Sequence, residues 1–410
     1  MRVEVGAQPT GGAARGGLDA RSRGPDAVDE ALRAMPRALI IPGDHIAPGE
    51  RCAALSGRLC LAGPMSTTTR TLLATASALA MGATLAVTPS SAASSAYVAL
   101  GDSFSAGTGT FDRTDSCYRS PRGYPELVAR AKGLDLDYQA CSGAETADVL
   151  ADQLDTLGPG TGQVSVTIGG NDVGFADVLT ECALPGWISD CDGEIDDALV
   201  VLRTELPGRL DEVYGAIDDR APDATVAVAG YPYLFNGRDC SWLTFFSRGE
   251  MARLNDGTAE LDEIIADRST ASGFTYVEVR DDFAGHAVCD TQPWINNLSF
   301  PIDESFHPNR PGNQAYAAAV APALVGSTMP AARMATQQAT PAPPPDVREQ
   351  ARAVLELRLD SRAHLRQAKE AGLRPGEVRS AVAKLRSGDE RVVRAGLAQL
   401  QALDARVEQG

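Results

Sequence analysis

Five short apolar segments, separated by longer stretches with helical periodicity, are the feature that most constrains the fold of this chain. The segments have the length and composition of buried strands, and they are 97–100, 134–138, 164–168, 225–229 and 274–279. The helical patterns are 124–132, 144–157, 194–218, 247–268 and 312–324. Apolar strands that alternate with helices predict an α/β fold, in which a parallel sheet is covered on both faces. Such a sheet binds its ligand at the carboxyl ends of its strands.

Polar motifs follow directly after the first three predicted strands. A Gly-Asp-Ser103 triplet follows the first strand, a Ser-Gly143 pair the second, and a Gly-Gly-Asn171-Asp sequence the third. Ser103 could act as a nucleophile, while its own N–H, the Gly143 N–H and the Asn171 side-chain amide could stabilise an oxyanion. Each motif alone is also typical of ordinary turns. Their coincidence at one edge of the sheet predicts a nucleophilic site.

A serine nucleophile that works near neutral pH needs a histidine as its base. The chain has four histidines. His45 and His364 lie far outside the predicted sheet region, and His286 is an ordinary loop residue close to a cysteine. His307, in a Phe-His-Pro sequence just ahead of the last predicted helix, is therefore the candidate base.

These motifs, in this order, resemble those of the SGNH (GDSL) hydrolase family, in its secreted bacterial lipase and esterase branch. The likeness covers residues 97–325. It implies a three-layer α/β/α sandwich, similar to flavodoxin, with a five-stranded parallel sheet. It also implies that Ser103 is the nucleophile, that His307 is the base, and that Ser103, Gly143 and Asn171 form the oxyanion hole. The resemblance implies no metal and no organic cofactor.

The chain departs from the family pattern at the group that orients the histidine. Many members carry an aspartate three residues before the histidine, where this chain has Glu304. Other secreted members use a main-chain carbonyl, which Ser305 could supply here. Either group would hold the Nδ1 proton and so fix the tautomer. We expect the Ser305 carbonyl to have this role, with Glu304 as the alternative.

Six of the eight cysteines lie inside the predicted hydrolase region. Six cysteines allow fifteen disulfide connectivities. Nearest-neighbour pairing gives Cys117–Cys141, Cys182–Cys191 and Cys240–Cys289, and free buried thiols are the alternative. No Cys-x-x-Cys spacing indicates a zinc site. Disulfides would require an oxidising compartment.

Composition divides the chain into segments. A short basic start at Met65, an apolar run to Val87 and small residues before Tyr97 are typical of a secretory signal peptide. Translation would then start at Met65; an internal signal anchor is the alternative. The predicted organisation is a non-native or disordered extension at 1–64, a signal peptide at 65–96, a hydrolase domain at 97–326, a proline-rich linker at 327–345 and a helical C-terminal extension at 346–410.

Charge and loop composition limit the partners. Residues 97–325 hold 37 acidic and 14 basic residues, and this negative field argues against nucleic acid and anionic membranes. Two apolar loops, 173–193 and 231–246, suit acyl chains, although some of their side chains could be ordinary core. Their large residues are Phe175, Leu179, Trp187, Tyr231, Tyr233, Phe235, Trp242, Phe245 and Phe246.

We therefore expect a secreted, monomeric serine hydrolase that cleaves neutral ester or lipid substrates through a Ser-His acyl-enzyme and does not insert stably into membranes. Phospholipase A or transacylase chemistry on the same site is the first alternative. A non-catalytic secreted binding protein that uses the helical extension is the second.

Overall fold

The computed structural model describes residues 96–326 and 346–408. The predicted N-terminal extension, the signal peptide up to residue 95 and the proline-rich linker lie outside the described residues. Among the described helices, none is long and apolar enough to cross a membrane.

Five parallel strands form one sheet in the order β2-β1-β3-β4-β5. From β1 to β5 the strands are Ala96–Gly101, Asp135–Tyr138, Gln163–Thr167, Thr225–Ala229 and Thr275–Val277. The central strands β1 and β3 are almost entirely buried, as expected for a sheet covered on both faces. The five predicted strands and their parallel pairing are confirmed.

Eight helices accompany the sheet in residues 96–326. From α1 to α8 they are Ser103–Ala106, Tyr124–Lys132, Thr146–Asp148, Phe175–Cys182, Cys191–Thr204, Leu206–Arg220, Arg248–Ala271 and Arg310–Val325. A π-helical turn, Val149–Gln153, and a 3₁₀ turn, Ile302–Glu304, complete the helical structure of this region. Helices α2 and α8 pack on each other, as do α5, α6 and α7. The predicted three-layer α/β/α sandwich is confirmed.

Two helical predictions differ from the structure. The single helix predicted at 194–218 is two helices, because Pro207 lacks the N–H that an uninterrupted helix would need and instead lies in the first turn of α6. The helix predicted at 144–157 is shorter and ends in the π-helical turn. Helix α4 follows the Gly-Gly-Asn171-Asp sequence and was not predicted.

Three disulfide bonds link loops and helix ends of this region. They join Cys117 to Cys141, Cys182 to Cys191, and Cys240 to Cys289. These are the pairs that nearest-neighbour pairing gives. The first bond ties the loop after β2 to the loop after α1, and the third ties the loop after β4 to the one after β5.

Residues 346–408 form four helices. From α9 to α12 they are Val347–Glu356, Arg362–Glu370, Pro375–Leu385 and Glu390–Val407. We call them the C-terminal helical module. They share an apolar core, and Trp187 and Phe245 of the hydrolase region are buried in the same cluster. The module is therefore packed against the hydrolase region, whereas a solvated tail would have no such core.

Two hydrogen bonds accompany this apolar contact. The Gly186 N–H donates to Asp404 Oδ1 at 2.7 Å, and the Gln401 side chain donates to the Thr244 carbonyl at 2.8 Å. The Asp404 carboxyl is only 3% exposed. Burial raises its pKa to about 7, and the neighbouring carboxylates of Glu408 and Glu250 act in the same direction.

The buried Asp404 carboxyl should make stability depend on pH. Its pKa in the folded chain lies above the unfolded value of about 4, so its contribution is fully present below pH 4 and is lost as pH rises through about 7. Asp404→Asn keeps an acceptor for Gly186 without the charge. We expect it to raise the thermal midpoint at pH 8 by about 2–4 °C, as roughly 1 kcal/mol does in domains of ~150–250 residues, and to leave it unchanged at pH 4.

Calorimetry at the two pH values measures this effect. Glu370→Gln, at an exposed position of the same module, is the matched control and should shift neither midpoint. Equal shifts of the Asp404 variant at pH 4 and pH 8 would contradict the prediction.

Candidate active site

Ser103 lies on a sharp turn between β1 and α1. The Asp102 carboxylate caps α1 by accepting the Phe104 N–H at 2.9 Å, which fixes the turn around Ser103. The preceding Gly101 has a φ of +117°, and a Cβ there would lie 2.2 Å from the Thr167 carbonyl oxygen. Glycine is therefore required for the turn, which places Ser103 at the carboxyl end of a central strand.

The His307 ring connects Ser103 to a backbone carbonyl. Its Nε2 lies 2.7 Å from Ser103 Oγ, and its Nδ1 lies 2.8 Å from the Ser305 carbonyl oxygen. A carbonyl oxygen can only accept, so Nδ1 carries the proton and the bare Nε2 accepts from the Ser103 hydroxyl. The arrangement can remove the Ser103 proton without a side-chain carboxylate.

Burial also sets the charge of the His307 ring. The ring lies against Phe104, with the two ring centroids 5.4 Å apart, and part of its surface stays accessible to solvent. Burial lowers the pKa of His307 to about 4, against a smaller opposing effect of the Ser305 carbonyl. The ring is therefore neutral, and able to accept a proton, throughout the neutral pH range.

The Glu304 carboxylate bonds to a different loop. It accepts the Gly109 N–H at 2.6 Å and the Phe111 N–H at 3.2 Å, and it is only 3% exposed. A Cβ on Gly109 would lie 2.8 Å from His307 Cβ, so this loop runs directly against the histidine. In the structure Glu304 supports the loop beside His307, and Ser305 provides the partner of Nδ1.

The two predicted oxyanion loops are hydrogen-bonded to each other. The Asn171 side-chain amide donates to the Ala144 carbonyl at 2.9 Å, and the Asp172 carboxylate accepts the Thr146 N–H at 3.0 Å and its hydroxyl. The Asn171 amide keeps a second N–H. Gly143 is exposed with a φ of +84°, and its N–H has no acceptor among the described residues. Both donors therefore belong to one linked pair of loops at the carboxyl edge.

The structure brings some predicted residues together and leaves others apart. Ser103, Ser305 and His307 form one hydrogen-bonded chain. His286 stacks on Trp294, with centroids 3.6 Å apart, and contacts the Gln292 carbonyl. It takes no part in the site, as the sequence indicated.

Most of the large loop residues suggested for acyl binding are buried in the core. Tyr233 and Trp242 are exposed, whereas Trp187 and Phe245 pack in the cluster of the C-terminal helical module. The sequence gives no signal that separates the two groups, because both lie in loops of similar composition. The supporting contacts of Glu304 and Asp172 were also missed. In the sequence, the only indication of these contacts is that each acidic residue directly adjoins a predicted site residue, Ser305 or Asn171.

Comparisons with known proteins give a consistent result for this region. The model of the GDSL-like Lipase/Acylhydrolase family matches residues 99–315. A Streptomyces rimosus protein named Lipase is 43% identical over 251 aligned residues, which cover 58% of this chain and 92% of that protein. The crystal structure of the extracellular lipase from Streptomyces rimosus matches with a TM-score of 0.52 and 40% identity, over 57% of this chain and 99% of its own. The crystal structure of phospholipase A1 from Streptomyces albidoflavus NA297 matches with a TM-score of 0.53 and 36% identity. This match covers 56% of this chain and 98% of that one.

The His307 ring should titrate far below an exposed histidine. Because burial disfavours the cation, we expect protonation only as pH falls through about 4, instead of about 6.5 for an unperturbed imidazole. The folded pKa is the lower one, so its contribution to stability is present above pH 6.5 and is lost as pH falls through about 4. An NMR titration of the ring protons, with His307→Asn to identify the signal, measures the pKa. A midpoint near 6.5 would contradict the prediction.

Proposed function

The chain belongs to the GDSL-like lipase/acylhydrolase family and is an ester hydrolase of the lipase and esterase type, and we propose that it works through an acyl-enzyme on Ser103. The observation that carries the proposal is the 2.7 Å contact between Ser103 Oγ and His307 Nε2, in a ring whose Nδ1 is held by a carbonyl. Nucleophile, base and orienting group are then all present.

Acylation follows from this geometry. His307 Nε2 takes the Ser103 proton as Oγ attacks the carbonyl carbon of the ester. The negative charge that develops on the carbonyl oxygen is stabilised by the N–H groups of Ser103 and Gly143 and by the free N–H of the Asn171 amide. The intermediate collapses when the C–O bond to the alcohol breaks, and the His307 cation protonates the departing alkoxide.

Deacylation repeats the same steps with water. The neutral His307 ring takes a proton from a water molecule, whose oxygen attacks the acyl carbon bound to Ser103. The second tetrahedral intermediate uses the same three donors. Collapse returns the proton from His307 to Ser103 Oγ and releases the carboxylic acid, so that the enzyme is regenerated.

Lipid esters are the substrates to which the relatives point, and we propose neutral lipid esters as the preferred class. The excess of acidic over basic residues in 97–325 disfavours anionic headgroups. Similarity to a phospholipase A1 makes phospholipid hydrolysis the second candidate. Comparing rates on a triacylglycerol and on the anionic phospholipid phosphatidylglycerol, each as dispersed substrate, separates the two; faster cleavage of phosphatidylglycerol would overturn the preference.

We also propose that the enzyme is exported. The three disulfide bonds require an oxidising compartment, and a similar Streptomyces rimosus enzyme is an extracellular lipase. The segment 65–96 has the layout of a signal peptide. N-terminal sequencing of the protein from the culture medium should give a first residue between 92 and 97. A first residue far from this range would exclude the signal peptide at 65–96, and retention of the protein inside the cell would exclude export.

Loss of the Ser103 hydroxyl should abolish turnover and leave the fold intact. We expect Ser103→Ala to lower kcat for a nitrophenyl ester by at least about 10⁴-fold, as removal of other serine nucleophiles does. It should also prevent labelling by a fluorophosphonate, which reacts with activated serines.

Ser105, in the same turn, supplies the matched control. Its hydroxyl bonds to the Tyr124 hydroxyl at 2.9 Å and accepts the Thr167 N–H at 3.1 Å, away from His307. Ser105→Ala should keep the fluorophosphonate label. Labelling of Ser103→Ala, or substantial activity in it, would rule out the proposed mechanism.

A further inference from the structure

The Tyr231 hydroxyl lies between the two loops that carry the proposed catalytic groups. Tyr231 is the second residue after β4, and its side chain is buried. The hydroxyl donates to the Asp102 carboxylate and accepts the Gly170 N–H at 3.1 Å. This single hydroxyl thus donates a hydrogen bond to one loop and accepts one from another.

Both partners are one residue away from a proposed catalytic group. Asp102 precedes Ser103, and its other oxygen caps the helix that begins there. Gly170 precedes Asn171, whose amide is a proposed oxyanion donor. The Tyr231 hydroxyl therefore joins the turn that holds the nucleophile to the loop that holds the donor.

Tyr231 is itself held firmly. Its N–H donates to the Asp262 carboxylate at 2.8 Å, and Asp262 is paired with Arg280 at 3.2 Å. Its ring packs edge-on against Phe104, with centroids 4.9 Å apart. A Cβ on Gly170 would lie 3.3 Å from the tyrosine ring, so the loop runs close against Tyr231. The hydroxyl has a fixed position from which to hold both loops.

We propose that Tyr231 is a positioning residue that sets the spacing between the Ser103 nucleophile and the Asn171 oxyanion donor. The inference rests on the proposed acyl-enzyme function. Oxyanion stabilisation depends on donors that are already in place before charge develops, so a small increase in freedom between the two loops costs rate. Tyr231 does not itself act on the substrate, and its loss should leave substrate binding intact.

Removal of the Tyr231 hydroxyl alone tests this role in the full chain. For Tyr231→Phe we expect kcat on a soluble nitrophenyl ester to fall by about 10-fold, less than the ~10²–10³ for loss of a donor itself, with KM within about 2-fold of wild type. Fluorophosphonate labelling of Ser103 should slow by a similar factor, because its tetrahedral adduct uses the same donors.

Tyr214→Phe is the matched control. The Tyr214 hydroxyl is also buried, lies in α6 and has no hydrogen-bond partner among the described residues. This variant should keep wild-type kcat and KM. A wild-type kcat in Tyr231→Phe would overturn the positioning role. So would a loss of rate that is explained by unfolding, which would show as a lowered thermal midpoint and a return of kcat to the wild-type value on cooling.

Asp102→Ser completes a double-mutant cycle. A serine at this position can still cap α1 through the Phe104 N–H, but its side chain is too short to reach the Tyr231 hydroxyl. Because each single variant breaks the contact between Tyr231 and Asp102, the double variant should lose little more rate than the slower single one. Multiplicative losses would mean that the two groups act independently and would overturn the inference. If Tyr231→Phe does not fold, Asp102→Ser alone decides: a lower kcat at unchanged KM supports the inference, and wild-type kcat refutes it.

Failure of the underlying function has a separate signature. If wild-type protein is not labelled at Ser103 by the fluorophosphonate, the acyl-enzyme proposal itself fails. If wild-type protein is labelled there and Tyr231→Phe is labelled at the same rate, only the positioning role fails.

Discussion

The close approach of β1 to β3 at their carboxyl ends is the constraint on which the rest of the site depends. Gly101 lies against Thr167 with no room for a Cβ, and the next N–H, that of Asp102, donates to the Thr167 carbonyl at 2.9 Å. The polypeptide then turns, with Ser103 as the first residue after the cap. Because β3 continues directly into the loop that carries Asn171, the pairing of β1 with β3 brings the proposed nucleophile and the proposed oxyanion donor to the ends of two adjacent strands.

Buried carboxylates in this molecule support backbone amides. Asp102, Asp262 and Glu304 each accept at least one main-chain N–H, and all three are almost fully buried. A buried carboxylate is costly unless it is hydrogen-bonded, so these bonds account for their presence in the core. Glu304 follows the same rule. Although it lies only three residues before His307 in the sequence, its carboxylate accepts the Gly109 N–H. The Ser305 carbonyl oxygen on Nδ1 can only accept, and it therefore fixes the tautomer of the His307 ring.

The sequence could predict local features of the structure, but it could not predict contacts between residues that lie far apart in the chain. Strand periodicity, the turn at Ser103 and the Phe-His-Pro sequence are contained in short windows, and the strand at 225–229 was predicted with the right ends. The bond from Gly109 to Glu304 spans 195 residues, and that from Tyr231 to Asp102 spans 129. No periodicity encodes such contacts, and a buried tyrosine after a strand has the same composition signal as an apolar loop residue. The family resemblance supplied the catalytic roles, and the positioning contacts come only from the fold.

The C-terminal helical module extends this network beyond the hydrolase core. Phe245 packs in the module's cluster, whereas its neighbour Phe246 contacts Phe306, the residue before His307, with centroids 5.8 Å apart. These two neighbouring residues therefore pack on different parts of the structure, Phe245 on the module and Phe246 on the hydrolase core. The Streptomyces rimosus lipase is matched over 99% of its length by 57% of this chain, and no counterpart remains there for so large an addition. In this chain, therefore, the packing beside His307 continues through one pair of phenylalanines into helices that lie outside the matched family region.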